Sequence, residues 1–157
     1  MLNTSDLTLK EALEYKKLTP LHQGLRDMEK ETAMLCAPAA QVHGPHYKPV
    51  IQTYGNKTAT KGAKMKKNPR FAVGSLLVKE KYESKSAKQP SLITVMKKVY
   101  EGSGARTWQY MMIDLSKNKV LSSVDPKKLK DPAANKCISC HDNYSGSDGV
   151  SMSFAKG

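Results

Sequence analysis

A chain of 157 residues is long enough to fold as one domain, bury a real core and wrap a cofactor. Its net charge of +12 comes from 26 basic residues against 14 acidic ones, and apart from Arg26, Arg70 and Arg106 the basic residues are all lysine. No arginine- and aromatic-bearing element for reading a nucleic acid accompanies that charge, and no apolar run reaches the length of a membrane span. The lysine surface therefore either steers an acidic redox partner or serves solubility alone.

The first third reads helical. Thr8-Leu9-Lys10-Glu11 is a capping-box pattern that opens a short amphipathic helix with Leu9, Ala12 and Leu13 on one side. Thr19-Pro20 starts a second helix, in which Leu21, Leu25, Met28 and Leu35 recur at helical spacing and His22 lies at the surface rather than on a metal. Met28 and Met34 read as core filler. Cys36, in the apolar run Met34-Leu35-Cys36-Ala37, reads as a small core hydrophobe, with an intermolecular disulfide as the alternative.

After Pro38 the pattern changes. Residues 47–54 predict a short strand ended by Gly55-Asn56, and residues 58–67 a basic helical or loop piece closed by Asn68-Pro69. Three β-like runs follow, at 75–82, 92–100 and 107–114, with a polar loop over 83–90, a turn at Gly102-Ser103-Gly104 and a short fourth run at 118–121. In the first run Leu76, Val78 and Tyr82 point one way and Ser75, Leu77, Lys79 and Lys81 the other. Leu92, Thr94 and Met96 share a face of the next run, opposite Ile93, Val95 and Val99. Trp108, Tyr110 and Met112 line one face of the third, either as plain core or as the wall of a cofactor pocket. Strands joined by short turns imply an antiparallel sheet. The expected fold class is α+β: one domain over 1–157, with a helical segment at 1–36, a sheet core at 44–121 and a C-terminal helical segment at 132–157.

That last segment contains Cys137-Ile138-Ser139-Cys140-His141, a C-x-x-C-H sequence of the kind that attaches c-type haem. Two thiols add across the two vinyl groups of one porphyrin, and the imidazole beside the second thiol ligates the iron. Asp131-Pro132 has the form of an N-cap and first-turn proline, so a helix is expected from Pro132 through the motif, setting Cys137, Cys140 and His141 on one face. Two other readings use the same residues. A redox dithiol wants a βαβ setting with the motif opening a helix, and none surrounds it. A zinc site would join Cys137 and Cys140 to His43 and His46, but His43-Gly44-Pro45-His46 is tighter than the usual spacer and its proline argues against a helical pair. Covalent haem c is the working reading. Haem c is attached outside the cytoplasm, so a periplasmic protein is expected; Met1 to Asp6 carries no signal-peptide hydrophobic region, and an export signal is expected to have been removed.

Several pieces come in a telling order: Gly44-Pro45-His46, Tyr54-Gly55-Asn56, then Phe71-Ala72-Val73-Gly74-Ser75-Leu76-Leu77-Val78-Lys79-Glu80, Leu92 to Lys98, Trp108-Gln109-Tyr110 and the late C-x-x-C-H. This order resembles the cytochrome P-460 family, which includes the cytochromes c′-beta, over roughly residues 44–150. The resemblance implies an antiparallel sheet packed with helices, a homodimer, and a five-coordinate iron with His141 proximal and an open distal side for small nitrogen ligands. In P-460 members the strand lysine, matched here by Lys79, is cross-linked to the porphyrin, and those members oxidise hydroxylamine. The c′-beta members bind nitric oxide without that turnover. Lys79 is otherwise a solvated charge at the end of a strand, with Lys81 on the same face. Tyr47 and Phe71 are placed near the distal side.

One departure bears on activity. Oxidising members carry a distal carboxylate on the strand matched by residues 92–99, where this chain has Ile93, Thr94 and Val95. Proton removal from bound hydroxylamine needs a base within hydrogen-bond reach, which leaves Glu80 and Glu101 as candidates and favours gas binding over efficient turnover. The alternative function is a six-coordinate electron-transfer cytochrome, with Met96, Met111, Met112, His43 or His46 as sixth ligand.

Overall fold

The computed structural model describes residues 5–27 and 50–155. Among these residues seven strands form one antiparallel sheet: β1 (Thr19–Pro20), β2 (Arg26–Asp27), β3 (Val50–Gly55), β4 (Leu76–Tyr82), β5 (Leu92–Lys98), β6 (Trp108–Asp114) and β7 (Lys119–Val124). Strands β3 to β7 lie side by side in chain order, while β1 and β2 both pair with the outer edge of β3. The helices are α1 (Leu9–Leu13), α2 (Lys57–Ala63) and α3 (Lys136–His141), with short 3-10 turns between elements. The α+β class and the C-terminal helix carrying the C-x-x-C-H residues are as expected. Met28, Met34, Cys36, His43, His46 and Tyr47 lie outside the described residues.

Both faces of the sheet are covered, which is why its strands are apolar on both sides. On one face Leu76 and Val78 of β4, Ile93 and Val95 of β5, and Met111 and Ile113 of β6 pack under Ala12 of α1 and Tyr15. On the other, Leu77, Trp108, Tyr110 and Val124 pack under Ala59 of α2, Phe71, Ile138 of α3, Val150 and Phe154. The pairing register fixes these sets, because residues directly opposite each other share a face. One row on the second face runs Gly55, Leu77, Met96, Tyr110, Val124, and the next runs Thr53, Lys79, Thr94, Met112. The alternation read from β4, β5 and β6 is the one observed.

Four local expectations are corrected. Thr19-Pro20 does not start a helix: it pairs with Gly55 and Tyr54 as β1, residues 21–24 turn, and Arg26–Asp27 pairs again with β3. Gly24, at φ +66°, breaks any helical path there. His22, expected at the surface, is buried in this break, where its Nε2 accepts from the Thr53 N–H (3.1 Å) and its Nδ1 donates to the Gly24 carbonyl (2.9 Å). It closes an edge that the interrupted strand leaves unpaired. In α1, Thr8 caps the Glu11 N–H as expected, but only Ala12 turns inward, while Leu9 and Leu13 are exposed. The Glu11 carboxylate goes to Lys97 Nζ (2.9 Å).

The fourth correction concerns the attachment helix. Pro132–Ala134 is a separate 3-10 turn whose Asp131 makes no side-chain cap. Asn135 is extended, and its Oδ1 accepts from the N–H groups of Cys137 (2.9 Å) and Ile138 (3.4 Å), so α3 starts at Lys136. Asparagine out-competes the proline signal by satisfying two orphan donors of the first turn.

Candidate haem-attachment site

Helix α3 is anchored by Ile138, which is fully buried in the cluster of Phe71, Trp108 and Tyr110. One turn of helix then sets Cys137, Cys140 and His141 beside each other, with both thiols half-buried and not joined as a disulfide. The His141 Nδ1 lies 2.7 Å from the Gly149 carbonyl oxygen. A carbonyl only accepts, so Nδ1 carries the hydrogen and Nε2 keeps its lone pair. Burial pushes the imidazole pKa down to about 4, opposed by the Gly149 bond and reinforced by the Lys79 and Lys81 charges. The ring is therefore neutral near pH 7, as a metal ligand must be. It packs against Tyr110 at 5.2 Å between centroids. Burial likewise raises the Tyr110 pKa, so its phenol stays protonated and donates to the Ala105 carbonyl at 2.5 Å.

The Gly149 carbonyl is itself held in place. The preceding residue, Asp148, is 0% exposed and left-handed at φ +57°. Its carboxylate accepts from the N–H groups of Phe71 (3.0 Å) and Gly104 (2.7 Å) and from Lys98 Nζ, 2.7 Å from both oxygens. Its carbonyl accepts from the Trp108 indole N–H at 2.8 Å. Gly149, at φ +78°, sits so close to the 104–105 backbone that an added Cβ would meet Ala105 N at 2.9 Å. Sequence reading missed Asp148 and Lys98. The Asp148-Gly149 pair signals a turn, but its partners lie at positions 71, 98, 104 and 108, far from it in the sequence.

The sheet face that carries Tyr110 also carries Lys79, directly across from Thr53 on one side and Thr94 on the other. Thr53 is 2% exposed and its hydroxyl has no hydrogen-bond partner among the described residues. Lys81 lies two residues along on the same face and is buried. Met96 and Met112 belong to this face and Met111 to the opposite one, which removes Met111 from the candidate sixth ligands. Glu80 also points to the opposite face, where its carboxylate takes hydrogens from Tyr15, Lys16, Tyr54 and Tyr82. Glu101 is exposed in the turn after β5. Phe71 packs edge-on against Trp108 (5.5 Å) and bonds Asp148, which places it behind the loop that holds His141.

A covalently held haem fits these residues: two unjoined thiols and an oriented neutral imidazole on one helix turn, facing a wall with an orphaned buried hydroxyl. A zinc site would have to recruit His43 or His46, since among the described residues no three metal-ligating side chains converge. A family model described as cytochrome P460 matches residues 28–151. No curated protein matches the chain.

Proposed function

The chain belongs to the cytochrome P460 family, and from that premise we propose that it binds small nitrogen ligands, nitric oxide above all, on the open side of its haem. It is a c-type haem protein with covalently attached haem. The haem supplies an iron with a coordination position for the ligand and a store for one electron. The chain's own residues do the rest. Cys137 and Cys140 hold the ring, His141 Nε2 ligates, and the Gly149 carbonyl fixes the imidazole's tautomer and orientation.

The observation that carries the reading is the direction of Glu80. The two rows that carry Tyr110 and Lys79 present Thr53, Lys79, Thr94 and Met112 and no carboxylate. Asp114, one row further on the same face, accepts from Ser116 and Lys117 in the turn that follows β6, while Glu80 is fully engaged on the far side. A bound hydroxylamine then has no carboxylate from these rows to take its protons. Oxidation of hydroxylamine, with electrons passed to an acidic redox protein, is accordingly the slower activity. Lys79 is the residue for a porphyrin cross-link, and the protein is read as a periplasmic homodimer.

Titration of the reduced haem protein with nitric oxide and a steady-state hydroxylamine assay with an added electron acceptor test this together. Tight nitric oxide binding with slow hydroxylamine loss is expected. Fast hydroxylamine turnover overturns the reading, and so does a low-spin spectrum that nitric oxide leaves unchanged. That second outcome favours the six-coordinate electron carrier, for which the shared face supplies Met96 and Met112. The pyridine haemochrome spectrum, recorded for the native protein and for Lys79→Met, reports the cross-link: a distorted band that becomes ordinary in the variant supports it. Sedimentation tests the homodimer.

A further inference from the structure

We infer that Asp148 is a positioning residue for the proximal ligand: its buried pairing with Lys98 sets the Gly149 carbonyl against His141 and so tunes how strongly the imidazole donates to the iron. This rests on His141 ligating the haem and not on which small molecule takes the open side.

The ion pair is out of proportion to a surface turn. Both side chains are 1% exposed, and stripping two charges of water costs several kcal/mol that an apolar pair would not incur. What it achieves locally is geometric. Three donors, at positions 71, 98 and 104, make four hydrogen bonds to one carboxylate. The same residue's carbonyl is held by Trp108, and its left-handed backbone feeds directly into Gly149. The Gly149 carbonyl has no slack in this arrangement, because the 104–105 backbone lies against its Cα. A short bond from Nδ1–H to a fixed carbonyl makes the imidazole a stronger donor and stabilises the oxidised iron. Loosening the loop lengthens that bond and favours the reduced state.

The test is the midpoint potential of the haem-loaded protein in two forms. The double variant Lys98→Met/Asp148→Asn keeps the net charge and leaves no unpaired buried charge, so it folds even where the single variants do not. Its potential is expected to move positive while the melting temperature changes little and the intact mass still includes haem. Lys98→Met alone separates geometry from simple electrostatics. Removing a nearby cation by itself moves the potential negative, whereas releasing the loop moves it positive. A double variant with the native potential, or a negative shift in Lys98→Met, overturns the inference and leaves the pair as packing alone.

Discussion

Lys79 and Glu80 are adjacent in one strand and therefore point to opposite faces of the sheet. Glu80 is 0% exposed and accepts from Tyr15 (2.5 Å), Lys16 (2.6 Å), Tyr54 (3.0 Å) and Tyr82 (3.0 Å). Burial alone raises a carboxyl pKa, but the donors, Lys16 first, outweigh it and hold Glu80 below its ordinary value. Burial and the carboxylate together push the Tyr15, Tyr54 and Tyr82 phenols up. The pH windows differ accordingly. The carboxylate's contribution is present above its unfolded value near 4.5 and is lost as pH falls through the lower folded one. The phenols' contribution is present below the unfolded value near 10.0 and is lost as pH rises towards the raised ones. Glu80→Gln is expected to cost on the order of 2–3 kcal/mol at neutral pH. It should also flatten the loss of stability on acidification, measured by urea unfolding across that range; an acid limb as steep as in the native protein would assign the pH dependence elsewhere. An ultraviolet titration should find these three phenols ionising only as the protein unfolds.

At the scale of elements, α2 and α3 each carry one residue whose close surroundings can be tested by substitution. Gly62 of α2 faces Phe71 so closely that an added Cβ would meet its ring at 2.6 Å and the Arg70 carbonyl at 2.7 Å. Alanine favours a helix over glycine by about 1 kcal/mol, yet Gly62→Ala is expected to destabilise by about 1–3 kcal/mol, because the carbonyl cannot yield as a side chain does. Thermal unfolding decides the sign. Asn135→Ala removes the cap over Cys137 and Ile138 and is expected to cost about 1 kcal/mol, with a lower yield of attached haem read by intact mass. These elements differ in how visible they are in the sequence. Strands β4, β5 and β6 announce themselves through alternation, and the C-x-x-C-H spacing through its chemistry. Strands β1 and β2 are two residues each, too short to show a period, and exist only because the β3 edge needs partners. Asparagine at position 135 was legible as a cap in principle, but the Asp-Pro pair three residues earlier made the stronger local signal. Strand geometry sends the adjacent Lys97 and Lys98 to opposite faces, each to its own carboxylate, the half-buried Glu11 on one and the buried Asp148 on the other, and those partners are distant in the sequence.

Across the whole molecule the charge is uneven. Residues 57–70 carry Lys57, Lys61, Lys64, Lys66, Lys67 and Arg70 and no acidic residue. All six are exposed, and no ion pair neutralises any of them among the described residues. This segment flanks the attachment site, since Ala63 and Cys137 pack on one cluster and Arg70 reaches the Gly146 carbonyl at 3.4 Å. If electrons leave for an acidic protein, they leave here. The charge reversal Lys64→Glu/Lys66→Glu/Lys67→Glu should slow electron exchange with an acidic plant-type ferredoxin by about tenfold or more at low salt and remove most of its ionic-strength dependence. Lys117→Glu/Lys119→Glu, at the opposite end of the strands, should change it little. Stopped-flow traces with equal effects from both sets would make the charge a matter of solubility.

Trp108 is the chain's single tryptophan, fully buried between Phe71 and the Lys98 ammonium, with its indole hydrogen on Asp148. That position makes the protein its own optical gauge of maturation. An excited indole so near a porphyrin hands its energy over without emitting, so the chain glows before it receives its cofactor and darkens afterwards. Attachment, and any later slackening of the loop beside His141, can thus be followed by emission from the native polypeptide without a label.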